Sequence, residues 1–319
     1  VTEPRLPARL GTVRVLDGGL ATELEARGFD LSDRLWSARV LVEEPAAIEA
    51  IHRAYFAAGA TVATTASYQA TVPGFAAAGL DRAQALAAIA RSVALARSAR
   101  DAQRAAVPGP KDGQDLLVAG SVGPYGAMLA DGSEYRGDYD PGEAVLREVH
   151  APRMDALLEA GADLLALETI PTVREAEVLV RLVDERGASA WLSYQCRDGS
   201  TTAAGEPIEA ALRVADGAPG IVAVGVNCTA PRHVPSLLAR AATATALPRI
   251  AYPNGGDAWD PQARRWLAAD AGGAFDPSTV AAWRDLGAAW LGGCCGTGPA
   301  DIAHVRAAVD ADDAVRGRA

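Results

Sequence analysis

The sequence predicts a (β/α)8 barrel, and three observations carry that prediction. Eight short apolar or β-branched runs recur along the 319 residues. A longer alanine- and leucine-rich stretch of helical character follows each one. Most of the short runs are continuously apolar, as parallel strands covered on both faces must be. Strand–helix alternation eight times over is the pattern of a closed α/β barrel. A doubly wound sheet is the alternative, but the glycine fingerprint usual for it is missing after the first strand.

The elements follow in order. TVRVLD (12–17) is the first strand, with a helix near 45–58. ATVATTAS (60–67) precedes a helix at 81–104, and LLVAGS (116–121) precedes one at 142–160. DLLALE (163–168) leads to 172–186, and AWLSYQ (190–195) leads to 206–215. IVAVGVN (221–227) is followed by 231–245, RIAYPN (249–254) by 276–286, and AAWLGG (288–293) by 299–309. DPGEAVLREV from 140 and GPADIAHV from 298 place proline in a first helical turn, where its missing N–H costs nothing. AGAD at 160 and LGAAW at 286 are helix exits. VPGPKDGQD (107–115) reads as a surface loop, and the polar tail DADDAVRGRA is expected to fray. The whole span 1–319 is expected to form one domain.

Composition narrows the function. A net charge of -10 argues against a nucleic-acid or anionic-membrane partner. No run approaches the roughly 18 apolar residues of a membrane span. The opening VTEPRLPARL lacks the layout of a signal peptide, so a cytoplasmic location with reduced thiols is expected.

Barrel chemistry sits where strands end. Asp17 ends strand one, Ser67 strand two and Glu168 strand four. Asn227 and Cys228 end strand six, and Cys294 and Cys295 follow strand eight. Alone, Cys228 reads as a small buried apolar residue. Alone, the vicinal pair reads as structural burial or a redox disulfide, in a glycine-flanked stretch that can turn sharply. Together, three thiols on one rim match three zinc ligands with one coordination position open. Cys196, just past strand five, reads as a packing residue. A zinc held by three thiolates is a poor generator of hydroxide, but it deprotonates an incoming thiol and leaves it nucleophilic. Such a site prepares a thiol for alkylation.

Specific runs then carry a family resemblance. They are LDGGLATELEARG, LWSARVL, TTASYQATVPGF, GSVGPYGAMLADGSEYRGDY, LETIP, VGVNCTAP, AYPNGGDAWD and GGCCGTGPADI. Over nearly its whole length the chain resembles the homocysteine S-methyltransferase family, in its stand-alone branch that uses S-methylmethionine or S-adenosylmethionine. The resemblance implies one homocysteine-binding zinc barrel that makes methionine, with Cys228, Cys294 and Cys295 as Zn2+ ligands. It implies that Glu168 binds the homocysteine ammonium and that Asp17 lies near both substrates. Gly18 and Ser67 match positions that hold the amino-acid portion, through a backbone amide and a hydroxyl. Ser67 stands where threonine is common in related methyltransferases. Asn227 is expected at the substrate site, orienting it from behind the ligand Cys228.

The segment 123–139 reads as a functional loop after strand three. Its Tyr125, Tyr135, Tyr139, Asp131, Glu134 and Asp138 are candidates to attract a cationic donor. Trp36 is a candidate to cover the rim, and His52, His150, His233 and His304 read as surface or packing residues. The partners expected are homocysteine and a sulfonium methyl donor, with S-methylmethionine favoured. Rival readings are a selenocysteine or betaine relative of the same family, and a thiol redox sensor on a barrel scaffold.

Overall fold

The computed structural model describes residues 13–31, 37–107, 115–256, 258–260, 265–267 and 275–317. Trp36 and residues 108–114 of the expected surface loop lie outside them. The eight strands are β1 (Arg14–Val15), β2 (Val62–Thr64), β3 (Leu117–Val122), β4 (Leu164–Ile170), β5 (Ala190–Tyr194), β6 (Ile221–Asn227), β7 (Arg249–Tyr252) and β8 (Ala288–Leu291). Their neighbours run β1-β8-β7-β6-β5-β4-β3-β2, all parallel. A parallel bridge from Leu16 to Val62 closes the ring, giving the (β/α)8 barrel. A separate antiparallel hairpin pairs Ala258–Asp260 with Arg265–Leu267, between β7 and β8.

Helices cover the outside of the ring. Pro45–Ala58 opens on proline, and Arg82–Ala106 opens on a capping box between Asp81 and Gln84. The last helix departs from expectation. It runs Pro299–Arg316, through residues expected to fray. Ion pairs explain the difference: Arg284, almost buried, meets Asp312 at 2.6 Å and Asp313 at 2.5 Å, and Arg316 reaches Asp285 at 2.6 Å. They tie the tail to the preceding helix, Pro277–Asp285.

Alternation along each strand separates two apolar layers. Val118, Leu165, Leu167, Leu192 and Val224 face the helices. Leu117, Ala119, Leu164, Ala166, Trp191, Ala223, Ile250 and Trp290 fill the barrel interior. The register keeps the inward residues level, with Ala119 opposite Leu164, Ala166 opposite Trp191, and Trp191 opposite Ala223. Trp191 packs against Trp290 at 5.7 Å and edge-on to Tyr252 at 6.1 Å between ring centroids.

Farther along the same inward face the residues become polar. Thr64, Ser121, Glu168, Ser193, Asn227 and Tyr252 form that upper layer. It lies at the carboxyl ends of the strands, and its Thr64, Ser121, Glu168 and Tyr252 line the site. Among the described residues, no helix is long and apolar enough to cross a membrane.

At Gly225 the backbones of β6 and β7 meet so closely that a Cβ would fall on the carbonyl oxygen of Ile250. Gly225→Ala is expected to destabilise the fold by about 1–3 kcal/mol, the usual cost of overpacking. A denaturant midpoint equal to that of the parent would show that this contact yields freely.

Candidate functional site

The cavity at the strand ends is lined by Asp17, Gly18, Thr64, Tyr68, Ser121, Tyr135, Glu168, Tyr252 and the thiols of Cys228, Cys294 and Cys295, among others. The three sulfur atoms lie within 4.8 Å of one another, and all three cysteines are free. A tetrahedral centre with sulfurs about 2.3 Å from a metal separates them by about 3.8 Å, so this set fits such an ion. Their electrostatics fit it too. Hydrogen bonds from Cys228 and Cys294 hold the Cys295 thiol well below its ordinary range. Those same contacts and burial push Cys228 well up, and Cys294 is raised with it. A cation beside the cluster would favour the thiolate form of all three.

Backbone geometry brings the thiols together. Cys228 adopts φ +46°, a left-handed conformation, directly after β6. Its N–H donates to the Tyr252 carbonyl at 3.1 Å, and its own carbonyl accepts from Asn254 Nδ2 at 3.4 Å. After β8 the chain turns through Gly296 at φ +75°. Cys294 donates its N–H to the Pro253 carbonyl at 2.8 Å and accepts at its carbonyl from Thr297 Oγ1 at 2.6 Å. Both vicinal thiols thus serve one cavity. Cys196 is buried away from the group, and burial pushes its thiol above the ordinary range.

The two expected acids face the same space. Asp17 is 4% exposed and accepts from the Thr64 N–H and hydroxyl, both at 2.8 Å. Burial raises its carboxyl well above the usual range despite those bonds, and Glu168 adds repulsion. Glu168 accepts from Ser121 Oγ, and from the Tyr252 hydroxyl at 3.2 Å. Burial first, then charge on Cys294, pushes it up to about 7. Two desolvated carboxyls and three thiols face a cavity whose lining, among the described residues, holds no Lys, Arg or His. The site is built to receive positive charge.

Gly18 lies in the lining, and a Cβ there would meet Thr297 Oγ1 at 2.8 Å, so no side chain fits. Ser67 departs from expectation. It is wholly buried behind the lining, its hydroxyl donates to the Ser121 carbonyl at 2.8 Å, and its N–H donates to the Thr65 carbonyl. Its polar groups are committed to the fold, and Ser121 faces the cavity instead.

Asn227 likewise stands behind the lining rather than in it. Its Oδ1 accepts from the Thr169 N–H at 2.7 Å and from Ser193 Oγ at 2.9 Å. Its Nδ2 donates to Thr169 Oγ1 at 2.8 Å and reaches Cys294 Sγ at 3.9 Å. Thr169 is held at φ +60°, an outlier for a β-branched residue, directly after Glu168. Asn227 is the clamp that keeps it there.

Sequence reasoning missed Ser121, Tyr252, Thr64 and Tyr68. The signal for the first three was present, since each is a polar residue ending an inward-facing apolar series. Of the loop candidates, Tyr135 lines the cavity. Tyr125 and Tyr139 stack on each other at 5.5 Å, and Asp131 and Asp138 are exposed beside Arg136.

Residues 14–309 match the family described as homocysteine S-methyltransferase. The homocysteine S-methyltransferase of Escherichia coli (strain K12) is 48% identical over 296 residues, spanning 92% of this chain and 94% of that protein. The selenocysteine Se-methyltransferase of Brassica oleracea var. italica is 40% identical over 304 residues, spanning 92% of this chain and 87% of its own. The crystal structure of the homocysteine methyltransferase MmuM from Escherichia coli, in its metallated form, superposes with a TM-score of 0.84 at 46% identity, covering 95% of this chain and 99% of that one. In sequence over nearly its full length, and in fold, the chain belongs to the homocysteine S-methyltransferase family.

Proposed function

We propose that this protein is a zinc-dependent methyltransferase that moves a methyl group from a sulfonium donor to the thiolate of L-homocysteine, giving methionine. One observation carries the reading: three free thiols and two buried carboxyls open on one cavity with no basic lining residue among the described residues. Family membership and the metallated form of the Escherichia coli neighbour support it.

Cys228, Cys294 and Cys295 would hold the metal, and a soft trigonal sulfur set with an open side suits zinc. When bound, zinc supplies one thing, a homocysteine sulfur kept as thiolate at neutral pH. The chain's own residues do the rest. Glu168, oriented by Ser121 and Tyr252, accepts the homocysteine ammonium in a charge-assisted hydrogen bond. The backbone at Gly18 leaves room for the amino-acid portion. Asp17, fixed by two bonds from Thr64, lends negative charge to the space between acceptor and donor. The sulfur–methyl bond of the donor breaks as the new one forms, and the donor leaves as a neutral thioether. Positioning supplies the main acceleration, because both charges vanish in the transfer.

The 40% identical relative named for selenocysteine makes a selenolate the second acceptor to weigh. It shares the same charge logic, and competition between the two acceptors in one assay separates them.

Protein purified under reducing conditions is expected to contain close to one zinc per chain. Cys228→Ser, Cys294→Ser and Cys295→Ser should each lose metal and activity, while Cys196→Ser keeps both. Full activity in metal-free protein would sink the zinc reading.

Glu168→Gln is expected to weaken homocysteine binding by about 1.5–3 kcal/mol, the worth of a hydrogen bond to a charged group, with zinc content unchanged. Parental affinity on titration would reduce Glu168 to a structural acid.

Among donors, S-methylmethionine should turn over best, S-adenosylmethionine less, and betaine or methyltetrahydrofolate little. The carboxylate of betaine finds no cation among the described lining residues, and a neutral methyl donor gains nothing from the acidic field. Methionine formation from each donor at equal concentration is the measurement, and betaine outperforming both sulfonium compounds would refute the charge argument.

A further inference from the structure

Behind the cavity lies a buried ionic cluster that the chemistry above does not use. Arg153 and His150 project from the helix Glu143–Glu159, and Glu175 sits in the first turn of the helix Val173–Arg186. All three side chains are shut off from solvent, at 0%, 0% and 1% exposure. Arg153 Nη2 donates to His150 Nδ1 at 2.5 Å, and His150 Nε2 donates to Glu175 Oε1 at 2.7 Å. A guanidinium only donates and a carboxylate only accepts, so this chain of bonds requires a neutral imidazole protonated on Nε2. Burial, and the Arg153 charge beside it, lower the His150 basicity in the same direction.

The cluster grips backbone that borders the cavity. Arg153 Nη1 donates to the Tyr68 carbonyl at 3.2 Å, and its Nη2 donates to the Gly123 carbonyl. Glu175 Oε1 accepts from the Tyr125 N–H at 2.6 Å, and Oε2 accepts from the Tyr139 hydroxyl at 2.6 Å. One ionic group therefore gathers the loop after β2 and both ends of the loop after β3. Between the Tyr125 and Tyr139 anchors lie a short helix, Tyr125–Leu129, and a 3-10 turn, Ser133–Tyr135. Tyr135 then reaches the site, where its hydroxyl bonds to Cys295.

The cavity itself is divided. Its floor is buried: Asp17, Ser121, Glu168, Tyr252 and Cys228. Its mouth is half-buried: Leu20, Ala21, Tyr68 and Tyr135, beside the thiols of Cys294 and Cys295. With homocysteine on the floor, the second substrate enters at the mouth. Both tyrosines of that mouth sit on loops the cluster holds. Buried ion groups are weak devices for stability, since apolar residues of equal volume serve as well. What they add is one defined arrangement of the groups they bond.

We infer that Arg153, His150 and Glu175 form a positioning unit that sets Tyr68 and Tyr135 at the methyl-donor side of the cavity. This rests on the methyl-transfer reading above. Aromatic faces fixed at that place suit a sulfonium, whose charge they attract.

The test uses Glu175→Gln and His150→Gln in zinc-replete protein. Tyr139→Phe, which removes a single hydroxyl, serves if the buried variants do not fold. The KM for the sulfonium donor should rise about tenfold, roughly the value of one charge-assisted hydrogen bond. Homocysteine affinity and zinc content should stay at parental values, and hydrogen exchange across 123–139 should quicken. A lowered Tm with donor KM and loop exchange unchanged would make the cluster merely structural and overturn the inference. So would an equal loss of homocysteine affinity. If the parent turns over no sulfonium donor, the methyl-transfer reading fails by itself. Loop exchange in the variants still decides the positioning role, and unchanged exchange overturns it.

Discussion

A buried polar group without a partner costs several kcal/mol, and the upper layer of this barrel is made of such groups. Thr64, Ser121, Glu168, Ser193, Asn227 and Tyr252 face inward above an apolar interior of Ala119, Ala166, Trp191 and Ile250. Each must find its bond within the ring. The Tyr252 hydroxyl accepts from Trp191 Nε1 at 2.9 Å and lies 2.7 Å from Ser193 Oγ and 3.2 Å from Glu168. Ser193 passes on to Asn227, and Asn227 to Thr169. The network runs from β7 through β5 and β6 to β4, so the place of Glu168 depends on four strands at once.

The same layer governs the electrostatics. Ser121 and Tyr252 together only moderate the upward push on Glu168, because burial outweighs two neutral donors. Thr64 does the same for Asp17 with the same outcome. The carboxyls of Asp17 and Glu168 are thus biased by burial toward their neutral forms. Mutual contact and burial raise the thiols of Cys228 and Cys294, while the same contacts lower that of Cys295.

Floor and mouth are built by different means. The floor rests on strands and on strained backbone, with Thr169 left-handed near the end of β4 and Cys228 left-handed directly beyond β6. Strain of that kind persists only where surroundings over-determine it, and Asn227 and Tyr252 do so here. The mouth rests on loops, which carry no ladder of their own. Its rigidity is imported from the helices behind, through Arg153, His150 and Glu175. His150 reads in the sequence as surface or packing. Burial in a helix is all that a 3.6-residue pattern can register, and its two ring bonds are tertiary facts.

The sequence by itself determined the barrel, because a parallel strand covered on both faces must be apolar along its length, and that pattern survives in one dimension. All eight strands overlap their expected runs, from the stub Arg14–Val15 to Ala288–Leu291. It also determined which rim to search. Asp17, Glu168, Cys228, Cys294 and Cys295 all end strands, and strand ends share one face. Only the tertiary structure decided which polar residues point into the cavity and which stand behind it. Ser67 and Ser121 are both serines at strand ends, yet one donates to the carbonyl of the other's residue and the second holds Glu168. Asn227 precedes a candidate ligand in the chain but bonds across to another strand. The tail through Arg316 stays helical through ion pairs to a separate helix. In each case the deciding partner is distant in sequence, and the energy of a hydrogen bond or ion pair depends on geometry that only the closed barrel creates.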